Sequence, residues 1–150
     1  MKTDILRTIY RASQAVDKHT NELERQIREF ATHANQSRNK DFEKTEIVYR
    51  VNDNEKITIL LSCYKPDLDD EPIIPDVWYI KIVKWDASKA LQGGGIFTTV
   101  VDRILANMPE GFDSIYIDNV TTPRFRDYLI NKGWIVVPYT SKRSFISPVS

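Results

Sequence analysis

Three of the chain's five glycines stand together at 93–95, between two segments of opposite character. Before them, the run at 77–85 (VWYIKIVKW) is β-branched and aromatic, which marks a strand. After them, Ile96, Val100, Ile104, Leu105 and Met108 recur at helical spacing until Pro109. A strand turning through glycine into a helix N-terminus is a strong constraint. Glycine lets the backbone come close to a ligand, and the first-turn amides of a helix lack acceptors and favour negative charge. A glycine run also serves as a slack joint, but these flanks favour an anion cradle. Two specific cradles are excluded. No Gly-Lys-Ser/Thr ending makes a Walker loop, and no GxGxxG stands in an alternating βαβ pattern.

The rest of the chain changes period once. Leu23, Ile27, Phe30, Ala31 and Ala34 form one apolar stripe, and Ile5, Leu6, Ile9, Tyr10 and Val16 outline an earlier one. The polar stretch at 17–21 (DKHTN) is read as a break between two helices, with Thr20 capping the second; a single long helix is the alternative. From residue 45 onward the pattern is β-rich. Strands are expected at 46–51 and 56–64 around the turn NDNE, at 77–85, at 114–120 and at 134–139, with RSFISPV as a sixth. Thr122-Pro123 opens a short helix that Gly133 closes. The expectation is one domain over 1–150, with helices at 1–40 and a sheet-containing core at 45–150.

Composition narrows the class. At 150 residues and 41% apolar content the chain can bury a core without disulfides. Lys plus Arg equals Asp plus Glu at 21 each, so no basic excess points to nucleic acid. No apolar run reaches the roughly 20 residues needed to cross a bilayer. Asp4, Arg7 and Arg11 stand where a signal peptide needs its apolar core, so a soluble, cytoplasmic protein is expected. Cys63 is the only cysteine and lies in a strand, which reads as a core thiol. His19, His33 and Cys63 have no metal-ligand spacing, so no metal is expected.

The segment at 92–105 (QGGGIFTTVVDRIL) resembles the acyl-CoA-binding motif of the GNAT superfamily of N-acetyltransferases. Gln92 and Gly95 match its fixed positions, and Val100-Val101 its paired aliphatics. The segment at 124–138 (RFRDYLINKGWIVVP) resembles the next signature, with Gly133-Trp134 at its end. The order of elements over roughly 45–139 is similar too. The resemblance implies an α/β (α+β) fold: a mixed, mostly antiparallel central sheet flanked by helices, with an N-terminal helix pair. It implies acetyl-CoA as co-substrate, in an opening between two splayed strands. Gln92, Gly93, Gly94, Gly95, Ile96 and Phe97 would hold its diphosphate, and the strand through Tyr79–Val83 its pantetheine arm. In the family, a carboxylate takes a proton from the amine and a tyrosine protonates the departing thiolate.

Three positions depart from that pattern. Phe97 replaces a small residue. Leu129 stands where the tyrosine usually does, with Tyr128 one step away and about 100° around the helix. Thr122 replaces a frequent asparagine. Asp118 and Tyr128 are the catalytic candidates; a carboxylate capping the turn at Asn119 is the other reading of Asp118. Asp69, Asp70 and Glu71 form an acidic loop that can orient an amine or merely be solvated. Trp78, Tyr79 and Trp85 suit stacking on a ligand or core packing. Arg124 and Arg126 flank Phe125 and suit a cofactor phosphate or water. Two functions follow. One is acyl transfer to an amine of a small molecule or protein. The other is a GNAT-fold protein without the chemistry, binding a protein partner, as in phage virions or host interaction. A homo-oligomer is compatible with both.

Overall fold

A computed structural model describes residues 2–36, 42–64, 78–92, 95–137 and 143–148. Helix α1 (Lys2–Gln36) is followed by strands β1 (Phe42–Asn52), β2 (Glu55–Tyr64) and β3 (Tyr79–Ala87). A 3-10 turn at Lys89–Leu91 leads to helix α2 (Ile96–Ala106) and strand β4 (Ser114–Ile117). Helix α3 (Pro123–Asn131) and the short strands β5 (Ile135–Val136) and β6 (Phe145–Ile146) complete the order.

Among the described residues, six strands form one sheet in the order β1-β2-β3-β4-β6-β5. Every neighbouring pair is antiparallel except β3 and β4, which run parallel around α2. This is the mixed, mostly antiparallel sheet with flanking helices expected from the sequence. Ile57, Ile59, Leu61 and Cys63 of β2 point to one side, as their alternation predicts, and are buried. They share a single apolar cluster with the stripe of α1, with Val100 and Ile104 of α2, and with Leu129 of α3. Tyr79, Tyr116, Val137 and Ile146 form a second, smaller cluster.

One expectation is corrected. The N-terminal region is a single helix of 35 residues, about 52 Å long, and not a pair. The stretch at 17–21 contains neither glycine nor proline, so nothing in it forces the backbone out of the helix. Thr20 does not cap; it is fully buried on the apolar stripe, one turn before Leu23 and two before Ile27. Arg28 ties this helix to α2. Its guanidinium donates to the carbonyls of Asn107 (2.7 Å) and Arg103 (3.1 Å), supplying the acceptors at the C-terminus of α2 with a cation, while its Nε pairs with Glu24.

One strand is shorter than the stretch expected from the sequence. The run at 114–120 pairs only as far as Ile117, and Asn119 takes a left-handed conformation with φ 54°. The close of α3 follows the sequence closely. Gly133, at φ 85°, lets its own N–H reach Ile130 O and the Trp134 N–H reach Leu129 O, satisfying the last carbonyls of the helix.

Candidate functional site

The pairing of β3 with β4 runs from Tyr79–Ser114 to Ile82–Ile117 and then stops, although β3 continues for five more residues. The cause lies on the other edge of β3. Leu61 stands opposite Ile82 but Leu60 opposite Lys84, so Val83 is an extra residue, a β-bulge. A bulge bends its strand and increases its twist. Here it also shifts the alternation by one. Ile80 and Ile82 face the core before it, and Trp85 and Ala87 after it, while Lys84 and Asp86 are exposed. The two central strands therefore part beyond Ile82.

A cleft of about 720 Å³ opens at that parting. The N-terminus of α2 faces it. Gly95, the residue before the helix, sits at φ 76°, a conformation open to glycine and costly for other residues. The first helical bond is Thr99 N–H to Gly95 O at 2.9 Å, so the amides of Ile96, Phe97 and Thr98 have no acceptor among the described residues. A second set of free backbone groups belongs to β3. The Ser88 N–H donates to Lys56 O (2.9 Å) and the Lys56 N–H to Ser88 Oγ (2.9 Å), so alternate residues of β2 from Lys56 turn their peptides toward β3. Trp85, opposite Ile59, then carries its N–H and C=O on the side away from β2. Neither has a partner among the described residues. The next carbonyl on that side, Ala87 O, accepts from Gln92 Nε2 at 2.7 Å.

Aromatic side chains line the cleft in a row. Phe97 lies 4.6 Å from Trp85 and 5.0 Å from Phe125, centroid to centroid, and Phe125 stacks on Tyr128 at 6.1 Å. Phe97 is therefore half-buried between β3 and α3, beside the free amides of α2. The Tyr128 hydroxyl donates to Asp102 Oδ2 at 3.2 Å. Burial first, and then the Asp102 carboxylate, raises its pKa above the ordinary tyrosine value. Asp118, just past β4, lines the same cleft. Its carboxylate accepts from Ser144 Oγ (2.6 Å) and lies 4.0 Å from Lys81 Nζ.

Of the residues singled out in the sequence, Gln92, Gly95, Ile96, Phe97, Asp118 and Tyr128 line this one cleft. Val83 does not. It lines a smaller neighbouring pocket with Asp118, Asn119, Arg143 and Ser144, and the unpaired peptide groups of β3 belong to Trp85 instead. Arg124 lines the cleft. Trp78 packs edge-on against Phe112, and Tyr79 stacks on Tyr116 at 5.1 Å; neither lines it. Gly93, Gly94, Asp69, Asp70 and Glu71 lie outside the described residues. The bulge was missed, yet it left a trace. The alternation Ile80, Ile82 breaks at Lys84 and resumes with Trp85, a slip of one residue inside an otherwise regular strand. Among the described residues, no group of three or more His, Cys, Asp or Glu could hold a metal, and no helix is long and apolar enough to cross a membrane.

No protein-family model and no curated protein matches the chain. Two solved structures of a tyrosine-to-phenylalanine mutant of the toxin AtaT are similar to it. The first, bound to the C-terminus of the antitoxin AtaR and acetyl-CoA, is 14% identical with a TM-score of 0.40, over 63% of this chain and 57% of that one. The second is 16% identical with a TM-score of 0.40, over 63% and 58%. The chain thus spans less than two thirds of the structures it matches, and the likeness is a distant one of architecture.

Proposed function

We propose that the cleft between β3 and β4 binds acyl-CoA and that the protein is an acetyltransferase-like protein acting on an amine. One observation carries this reading: two sets of unpaired backbone groups face a single cleft. The amides of Ile96–Thr98 suit a diphosphate, and the Trp85 peptide suits the amides of a pantetheine arm. Arg124, on the same wall, suits a further phosphate. Asp118 is the group for the amine proton, held in place by Ser144 and Lys81. Tyr128 keeps its proton at neutral pH and is the available donor for a thiolate.

A second reading rests on Phe97. Its ring, wedged between Trp85 and Phe125, narrows the cleft where the diphosphate would lie. In that case the fold is kept for binding a protein partner and not for transfer.

Calorimetric titration with acetyl-CoA separates the two, using wild type, Gly95→Asp and Phe97→Ala. Aspartate tolerates the left-handed conformation better than most residues and sets a negative charge before the free amides. The transferase reading expects wild-type binding in the micromolar range, weakened at least about tenfold by Gly95→Asp with the circular dichroism spectrum retained. Absence of wild-type binding at millimolar acetyl-CoA, with binding gained in Phe97→Ala, would establish the plugged cleft.

A further inference from the structure

Among the described residues, β1 is the outer strand of the sheet and pairs only with β2. The same alternation that leaves Trp85 free also decides which of its peptides are free. Ile57, Ile59 and Leu61 turn their backbone groups toward β1, so their partners Tyr49, Ile47 and Thr45 are bonded within the sheet. Glu46, Val48 and Arg50 therefore present their N–H and C=O groups outward. None has a partner among the described residues. Their side chains are exposed as well, Val48 at 40%. Register shifts flank this stretch, between Phe42 and Thr45 and between Arg50 and Asn52, so 45–50 is an uninterrupted segment of straight edge. It contains no proline and no inward-pointing charge, two devices that keep sheet edges apart.

The order of these three residues is self-complementary. When two copies of the edge are set antiparallel about a two-fold axis at Val48, Val48 meets Val48 of the second copy. Glu46 then meets Arg50, and Arg50 meets Glu46. All three pairs fall in the hydrogen-bonded class, so every outward N–H and C=O of these residues finds a partner across the seam. Both charge pairs are of opposite sign and lie on one side of the sheet. On the helix side the rim carries Asp17, Lys18, Glu22 and Arg25, both signs in balance, so the two-fold sets no block of one charge against itself.

We propose that two copies of this chain join β1 to β1 about this axis, forming one continuous sheet to which the described residues of each copy contribute six strands. The seam is short, so the dimer is a weak, reversible one. It is formed at the edge remote from the cleft and does not depend on what the cleft binds.

The test is sedimentation equilibrium on wild type, Glu46→Arg, Arg50→Glu, the double swap, and an equimolar mixture of the two single variants. Wild type is expected to reach twice the 17.4 kDa of one chain. Each single variant sets two like-charge pairs across the seam and should weaken association roughly tenfold or more. The double swap restores opposite signs and should dimerise like wild type. The mixture also restores them, through a heterodimer. Val48→Pro removes an outward N–H that no described residue accepts and should abolish association with the monomer fold intact. A wild-type protein of single-chain mass at about 500 µM overturns the proposal. So does a dimer that both single variants and Val48→Pro leave unchanged.

Discussion

His19 and Tyr49, thirty positions apart, meet where α1 crosses β1. The His19 Nδ1 lies 2.7 Å from the Tyr49 hydroxyl. Burial, followed by the charge of Glu22, raises the Tyr49 pKa, so Tyr49 keeps its proton and donates, and the histidine nitrogen accepts. Burial, then Lys18, lowers the His19 pKa below 6.5, with Glu55 opposing. A lowered folded-state pKa means that the unfolded chain takes up the proton first. The stability that neutral His19 contributes is therefore complete above about pH 6.5 and is lost as pH falls through the lowered value. Denaturant melts between pH 8 and pH 5 should show this loss, and His19→Gln should flatten it. Single residues were unevenly legible in the sequence. Pro123 and Gly133 were readable because each solves a local backbone problem, at the start and the end of a helix. The His19–Tyr49 pair was not, because nothing local specifies which strand residue a helix will meet. Nor was the aromatic row, in which Phe97 finds Trp85 and Phe125 only through the tertiary fold.

At the scale of elements, the bulge at Val83 matters most. It turns one side of β3 away from β4 and frees the Trp85 peptide. Deleting Val83 would restore plain alternation, Ile82 inward, Lys84 outward and Trp85 inward. The expected product folds with a stability within about 1 kcal/mol of wild type, since no buried side chain is lost. It should no longer bind acetyl-CoA, because β3 can then follow β4 past Ile117. Trp85 fluorescence during an acetyl-CoA titration reports the difference, and an unchanged affinity would remove the bulge from the account. Strand locations were legible from β-rich runs, and their ends were not. The strand expected at 114–120 reaches to Val120, but pairing ends at Ile117, where the partner strand bends away and Asp118-Asn119 follow. The break expected at 17–21 failed for a similar reason. Polar residues alone do not end a helix in which neither glycine nor proline breaks the backbone, and Thr20 opens the buried stripe that Leu23 and Ile27 carry on.

For the whole molecule, the docking of α1 onto α2 joins the N-terminal quarter to the rest. Arg28 is the hinge pin of that contact, reaching two carbonyls 75 and 79 positions away. Arg28→Ala should cost about 1–2 kcal/mol, measured by urea denaturation, and Arg28→Lys should recover only part, since an ammonium cannot span both carbonyls as the planar guanidinium does. An unchanged midpoint in Arg28→Ala would mean that the apolar stripe alone holds the helix.

Strand pairing also thins across the molecule. Eight residue pairs join β1 to β2 and eight join β2 to β3; four join β3 to β4, and two join each remaining neighbour among the described residues. Such a sheet opens unevenly. Amide hydrogen exchange should be slowest in β2, which is bonded on both sides over its length, and faster in β4 and β6. The cleft lies at the step between the two regimes. A molecule seated there would touch the long-lived half and the readily opened half at once, and its binding would be felt first as slower exchange in the strands it does not directly cover.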